Sequence, residues 1–273
     1  MRREKIMNLL VTLNKNYLPY LIILLKSILK TNPNKEFTVY IISKEIDNQD
    51  VATVEETLKT SFMKFELLHF DESLLIGAPT SSRYPLEIYY RIFAAKVLPS
   101  TVSRILYLDP DIVVINHLDE LYNLDFEGNY FIGATHIRKI LRKFNQIRVR
   151  AHKTAPYINT GVMLMNIELL RNEQVVDEVY DYINKYKRYF TLPDQDIIFG
   201  LYGHKIKLVD YLKYNLSDRM LSLYNLRSSE KLDFEWVKKN SVVIHYCGRN
   251  KPWRPKYRGI LNVFYEEIAN LDE

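Results

Sequence analysis

Residues 105–114 read ILYLDPDIVV, an apolar run interrupted by two aspartates two positions apart. Arg104–Leu108 has the length and composition of a buried strand, and it runs straight into Asp109-Pro110-Asp111. Buried without a partner, each carboxylate would cost on the order of several kcal/mol. A divalent cation removes that cost, because hard carboxylate oxygens suit Mg²⁺ or Mn²⁺, and the cation would bridge the pair to a diphosphate. The competing reading is a solvated corner in which Asp-Pro-Asp makes Asx turns.

Working outward, strand-length and helix-length patterns alternate. Asn8–Leu13, Phe37–Ile42 and Lys64–His69 read as strands, and Tyr17–Thr31, Asp47–Leu58 and Pro85–Leu98 as helices. Later strands are expected at Tyr130–Ala134, Gly161–Asn166 and Val242–Tyr246, with helices near 168–186 and 194–202. The alternation predicts an α/β fold with a mainly parallel sheet flanked by helices. Repeats and Gly/Ser linkers are absent from the sequence, so one domain is expected over residues 1–273. In open α/β sheets ligands sit beyond the carboxyl ends of the strands. Asn14 and Asn16 follow the first strand, Asp109 and Asp111 another, and His245 ends a late one.

Three further segments carry chemistry. His245–Trp253, HYCGRNKPW, offers an imidazole suited to Mn²⁺, Gly248 for close backbone approach and Lys251 as a point charge for a phosphate. A structural histidine is the alternative, and Cys247 reads as a packing residue. In Tyr157–Ile167, Asn159, Thr160 and Gly161 are small polar groups suited to sugar hydroxyls, or a polar turn entering a strand. In Leu192–Phe199, Asp194, Gln195 and Asp196 open a helix after Pro193, where acidic residues also serve as ordinary caps.

Taken in order, MNLLVTLNKNY, the Tyr89–Arg91 YYR, YLDPD, YINTGVMLMN, LPDQD and HYCGRNKPW resemble glycosyltransferase family 8, which includes bacterial lipooligosaccharide galactosyltransferases and glycogenin. The resemblance runs from about Asn8 to Trp253. It implies a GT-A fold, a UDP-sugar donor, Mn²⁺ and retention of anomeric configuration. It makes Asp109, Asp111 and His245 the metal ligands and turns Gly248 and Lys251 to the diphosphate. Arg91 then lies near the donor, Asn159, Thr160 and Gly161 line the sugar, and Asp194 and Gln195 stand beside the reacting carbon. A nucleotide-binding half (about 7–125), an acceptor half (about 126–253) and a tail (254–273) follow. The chain departs from the family pattern at Asn14, where Asp is common. It departs again at His136 or Ile137, in place of an acceptor-side Asp, and at Leu192, in place of an aromatic region. Base choice and acceptor are both touched by these changes.

Net charge is +5, and Gly128–Ile167 holds no Asp or Glu while Arg138, Lys139, Arg142, Lys143, Arg148, Arg150 and Lys153 crowd there. Arg138 with Arg142, and Lys139 with Lys143, are spaced i, i+4 on an expected helix, which an anionic acceptor would offset. Such a basic stretch also fits a solvated face. The segment Arg249–Arg258, with Trp253 and Tyr257, is a second place for peripheral membrane contact, with no apolar helix expected after it. One cysteine excludes an internal disulfide, and no apolar run is long enough to span a bilayer. The reading is a cytoplasmic chain, open to peripheral contact at the inner membrane face. No recognised nucleic-acid module accompanies the basic stretch. The rivals to a transferase are a nucleotide-sugar-binding protein without turnover and a nucleotidyltransferase. The second is disfavoured because Leu13–Tyr17 lacks the glycines of a phosphate loop.

Overall fold

The computed structural model describes residues 6–81, 85–135 and 139–271. Its nine strands among those residues are β1 (Ile6–Thr12), β2 (Glu36–Ile42), β3 (Met63–Leu68), β4 (Arg104–Leu108), β5 (Ile112–Val114), β6 (Phe131–Thr135), β7 (Ile158–Asn166), β8 (Ile206–Val209) and β9 (Val243–His245). The longer helices are α1 (Leu18–Thr31), α2 (Asn48–Leu58), α3 (Lys139–Arg148), α4 (Ile167–Glu173), α5 (Val176–Tyr186), α6 (Pro193–Tyr202), α7 (Asp218–Arg227), α8 (Phe234–Asn240) and α9 (Asn262–Ala269). Local chemistry sets several boundaries. Pro19 sits in the first turn of α1, where a missing N–H costs nothing. Asp47 and Asp50 form a capping box that starts α2.

Seven strands form one sheet in the order β3-β2-β1-β4-β7-β6-β8, and β5 pairs with β9 in a separate ribbon. The pairings β1–β2, β2–β3, β1–β4 and β6–β8 are parallel, while β7 runs antiparallel to both β4 and β6. Apolar side chains leave both faces of the strands: Leu10, Tyr40 and Tyr107 join the core under Phe93, while Leu9, Val11 and Leu108 join the core under α1. A third core, around Leu221, Val237 and Phe264, closes behind the β5–β9 ribbon.

The reversed β7 decides where the site forms. Its beginning lies against the carboxyl end of β4, with Val162 opposite Leu108 and the Asp109 N–H donating to the Gly161 carbonyl at 2.8 Å. Asn159, Thr160 and Gly161 therefore lie inside a strand that starts at Ile158, not in a turn before one. The expected Pro85–Leu98 helix is instead three short pieces, Glu87–Tyr90, a 3₁₀ turn at Arg91–Phe93, and Ala94–Val97. Tertiary contacts override periodicity here, since Arg91 is buried and the Ile92 carbonyl accepts from the Gln174 side chain at 2.8 Å. The same Gln174 interrupts the expected 168–186 helix between α4 and α5. After Trp253 a helix does follow: α9 buries Phe264, Tyr265 and Ile268.

Candidate active site

A cleft of about 760 Å³ opens where β1 and β4 end and β7 begins. Asp109 and Asp111 enter it from the turn after β4, and His245 from the end of β9, held abreast of Ile112. The His245 Nε2 lies 3.2 Å from Asp111 Oδ1 and 3.8 Å from Asp109 Oδ2. One donor atom from each residue falls within 4.8 Å of the others, so the three side chains can hold a metal ion. Two carboxylate oxygens and an imidazole nitrogen suit Mn²⁺, or Mg²⁺ less well, and leave positions for ligand oxygens.

The hydrogen bonds around His245 fix which of its nitrogens is free. The backbone N–H of Gly161 donates to Asn159 Oδ1 at 3.0 Å, and a backbone N–H can only donate. The same oxygen accepts from Asn215 Nδ2 at 3.0 Å, which turns the Asn215 carbonyl oxygen to His245 Nδ1 at 2.9 Å. Nδ1 must then carry a proton, so Nε2 is the nitrogen turned to the aspartates and the one that can ligate a metal. Asn215 was not visible as a site residue from sequence; its role exists only through the folded contacts. Replacing it with Leu should lower Mn²⁺ affinity about 10- to 100-fold, the usual loss for a group that orients a ligand. Calorimetric titration of metal into parent and variant checks this.

Gly161 makes room for the cluster. A Cβ there would come 2.4 Å from His245 Cε1 and 2.5 Å from Asp109 Oδ2. Gly161→Ala is therefore expected to push two of the three donor groups apart and weaken Mn²⁺ binding at least about tenfold, with β7 still formed. Metal titration beside a circular dichroism spectrum separates the two effects.

Charges around the cluster are matched. The Arg91 guanidinium is buried, sits over the Tyr107 ring at 4.3 Å, and lies 3.1 Å from Asp109 Oδ1, 3.3 Å from Asp194 Oδ2 and 3.2 Å from the Thr160 carbonyl. Tyr107 donates its only proton to Asp109 Oδ1 at 2.7 Å, so Thr12 donates in turn to the Tyr107 oxygen at 3.0 Å. Burial would raise the Asp111 carboxyl, but His245 and the Lys251 ammonium that donates to it hold it well below the usual carboxylate range. Lys251 also donates to the Tyr246 carbonyl at 3.0 Å. Burial pushes the Asp194 carboxyl up, against the pull of Arg91 and a 2.5 Å hydrogen bond from Thr160. Cys247 is not the packing residue the sequence suggested: it is exposed and lines the cleft, where desolvation raises its thiol.

The other expected residues fall as follows. Asn16, Gly248, Gln195, Thr160 and Asn159 line the cleft; Gly248 has φ +102°, a backbone state that favours glycine. Asn14 does not line it, and its side-chain Oδ1 caps the Lys15–Tyr17 turn by accepting from the Asn16 N–H at 3.1 Å. Sequence reading missed an aromatic wall: Trp253 stacks on Tyr20 with centroids 3.6 Å apart, and Tyr17 meets its edge. Trp253 is thereby half-buried in the cleft wall, and Tyr257, also half-buried, packs against Tyr246. A second chamber of about 370 Å³ shares Gln195, His245, Cys247 and Gly248 with the first and reaches Ser217, Asp218 and Asn250. Gln195 Oε1 is buried and, among the described residues, has no hydrogen-bond partner. His136, Ile137 and Arg138 lie outside the described residues.

The chain is 26% identical over 261 residues to a lipopolysaccharide 1,2-glucosyltransferase of Escherichia coli, covering 95% of this chain and 76% of the relative. It is 25% identical over 251 residues to a lipopolysaccharide 1,3-galactosyltransferase of Salmonella typhimurium, covering 90% and 72%. The galactosyltransferase LgtC, solved in complex with donor and acceptor sugar analogues, superposes with a TM-score of 0.82 at 21% identity over 96% of this chain and 95% of that one. That likeness establishes the GT-A-like fold. A profile described as Glycosyl transferase family 8 matches residues 8–256, nearly the whole chain, and the protein belongs to that family.

Proposed function

We propose that this glycosyltransferase is a retaining, Mn²⁺-dependent enzyme that moves a hexose from a UDP-sugar to a hydroxyl of a glycan or glycolipid. The convergence of Asp109, Asp111 and a tautomer-fixed His245 on one point of the cleft carries the reading. When bound there, the cation supplies positive charge at the departing diphosphate. Lys251 and the backbone at Gly248 serve the same diphosphate. Asn16 and the aromatic wall of Tyr17, Tyr20 and Trp253 hold the nucleoside, with Asn14 steadying the turn that presents them. Arg91, Asn159, Thr160 and Gly161 position the donor. In this reading residues 7–125 form the donor half, residues 126–253 the acceptor half and residues 254–273 a tail on the single domain.

Asp194 and Gln195 are assigned to the reacting centre. Asp194 is already engaged by Arg91 and Thr160, which argues against a free nucleophile and for same-face attack. In that step the acceptor oxygen bonds to the anomeric carbon as its bond to the diphosphate breaks. The acceptor proton passes to the released phosphate oxygen, so no protein acid is needed. The unpartnered Gln195 Oε1, between the two chambers, supports a role in receiving an acceptor or sugar hydroxyl. The smaller chamber is assigned to the acceptor. Relatives named for glucose and for galactose transfer both match, so either hexose fits the reading.

The test is release of UDP from UDP-glucose and UDP-galactose, measured with and without Mn²⁺. Metal-dependent release supports a transferase. Tight UDP binding with no release from either donor would instead favour a nucleotide-sugar-binding protein.

A further inference from the structure

Helix α3 is amphipathic the wrong way round. Several of its polar side chains face the protein: Arg142 donates to the Ala155 carbonyl at 3.1 Å, and Arg148 grips Asp196 with two bonds of 2.9 and 2.6 Å while also holding Asn145. Three of its apolar side chains face outward, with Leu141 46%, Phe144 65% and Ile147 77% exposed. Spaced i, i+3 and i+6, they cover an arc of about 120° at the 3.6-residue period. Arg148 also donates to the Tyr189 carbonyl, which brings a further exposed aromatic residue to the end of the helix. Lys143 on the helix and Arg150 and Lys153 just past its end are exposed, in a stretch of sequence free of acidic residues from Gly128 to Ile167, and Arg188, next to Tyr189, is exposed as well.

We infer that this outward face docks on an anionic lipid bilayer, with Phe144, Ile147 and Leu141 entering the interface and Lys143, Arg150 and Lys153 pairing with lipid phosphates. Apolar side chains of this size on a solvent-facing helix are favourable only when another apolar phase covers them. Charge selects the phase. A basic rim around an apolar stripe complements a negative lipid surface. A symmetric second copy would set Lys143, Arg150 and Lys153 against their own equivalents. The inference goes beyond sugar transfer and stands on a different face from the cleft. The Arg148–Asp196 grip ties that face to the start of α6, which carries Asp194 and Gln195.

The test floats the purified full chain with vesicles of phosphatidylcholine alone and of phosphatidylcholine mixed with phosphatidylglycerol. Phe144→Asp, Ile147→Asp and Lys143→Ala run alongside, each with its melting temperature. The expected result is binding to the mixed vesicles only, weakened by salt. Each aspartate variant should lower partitioning at least about tenfold, and Lys143→Ala about fivefold. Phe144→Trp should shift its emission to the blue on mixed vesicles. A folded parent that ignores mixed vesicles, or aspartate variants that bind as well as the parent, would overturn the inference. A concentration-dependent dimer that Phe144→Asp abolishes would also overturn it, by assigning the face to a second copy. Flotation with no UDP release would sink the transfer reading alone; release without flotation would sink this one alone.

Discussion

Asp111→Ala should abolish the rise in melting temperature that Mn²⁺ and UDP together give the parent protein, and should lower sugar transfer by about 10³-fold. A ligand that binds only the folded state raises the melting temperature in step with its affinity, so loss of the donor set erases the increment. The rate follows from the charge at the leaving group. A bound cation supplies several kcal/mol of stabilisation there, and each 1.36 kcal/mol is about tenfold. The substitution also leaves the Lys251 ammonium buried, with only the Tyr246 carbonyl to receive it, so the baseline melting temperature falls as well. Breaking a buried pair from one side typically costs about 3–5 kcal/mol. Asp111→Asn keeps the shape and separates the two losses. An undiminished metal-dependent increment in either folded variant would remove Asp111 from the ligand set.

The second large effect lies outside the cluster. Asp196 is fully buried, and its carboxylate accepts from both Arg148 terminal nitrogens, from the Tyr157 hydroxyl at 2.9 Å, and from the N–H groups of Thr191 at 2.7 Å and Leu192 at 3.1 Å. Asp196→Ala takes from the half-buried Arg148 guanidinium its only carboxylate among the described residues, leaving it Asn145 and the Tyr189 carbonyl, and unties the turn into α6. A loss of about 3–5 kcal/mol is expected by urea denaturation. Because α6 carries Asp194 and Gln195, UDP-sugar turnover should fall with it. Removing both charges, as Arg148→Met with Asp196→Leu, should recover most of the stability, since apolar replacements of buried ion pairs are often neutral. If the single variant unfolds at the parent's midpoint, the clamp is not structural.

Asp196 illustrates what the sequence hid. Beside Pro193 it reads as an ordinary helix-start residue, and nothing in LPDQD announces an arginine forty-eight positions earlier. The alternation from β1 to β4 was legible because strands buried on both faces are unbroken apolar runs, and because the intervening helices carry caps. Asp109, Asp111 and His245 were legible because carboxylates inside apolar runs demand a partner. The start of β7 was not, because Asn159 and Thr160 look like turn residues until their side chains are seen buried in the site. The break at Arg91–Phe93 was not, because periodicity carries no record of a side chain such as Gln174 capturing a carbonyl. Residues 138–153 showed their charge but not their orientation, since an amphipathic pattern is the same whichever face turns inward.

The reversed strand has a consequence for how the protein is made. Because β7 delivers its beginning to the end of β4, and β9 closes the cluster from near the other terminus, the cleft is assembled from segments remote in chain order. Lys251 reaches back 140 residues to Asp111. Contacts of that separation form late in folding. During synthesis the donor pocket therefore has no metal-binding form until His245 has left the ribosome. The β1–β2–β3 portion, whose pairings are close in sequence, can fold first and wait as a template.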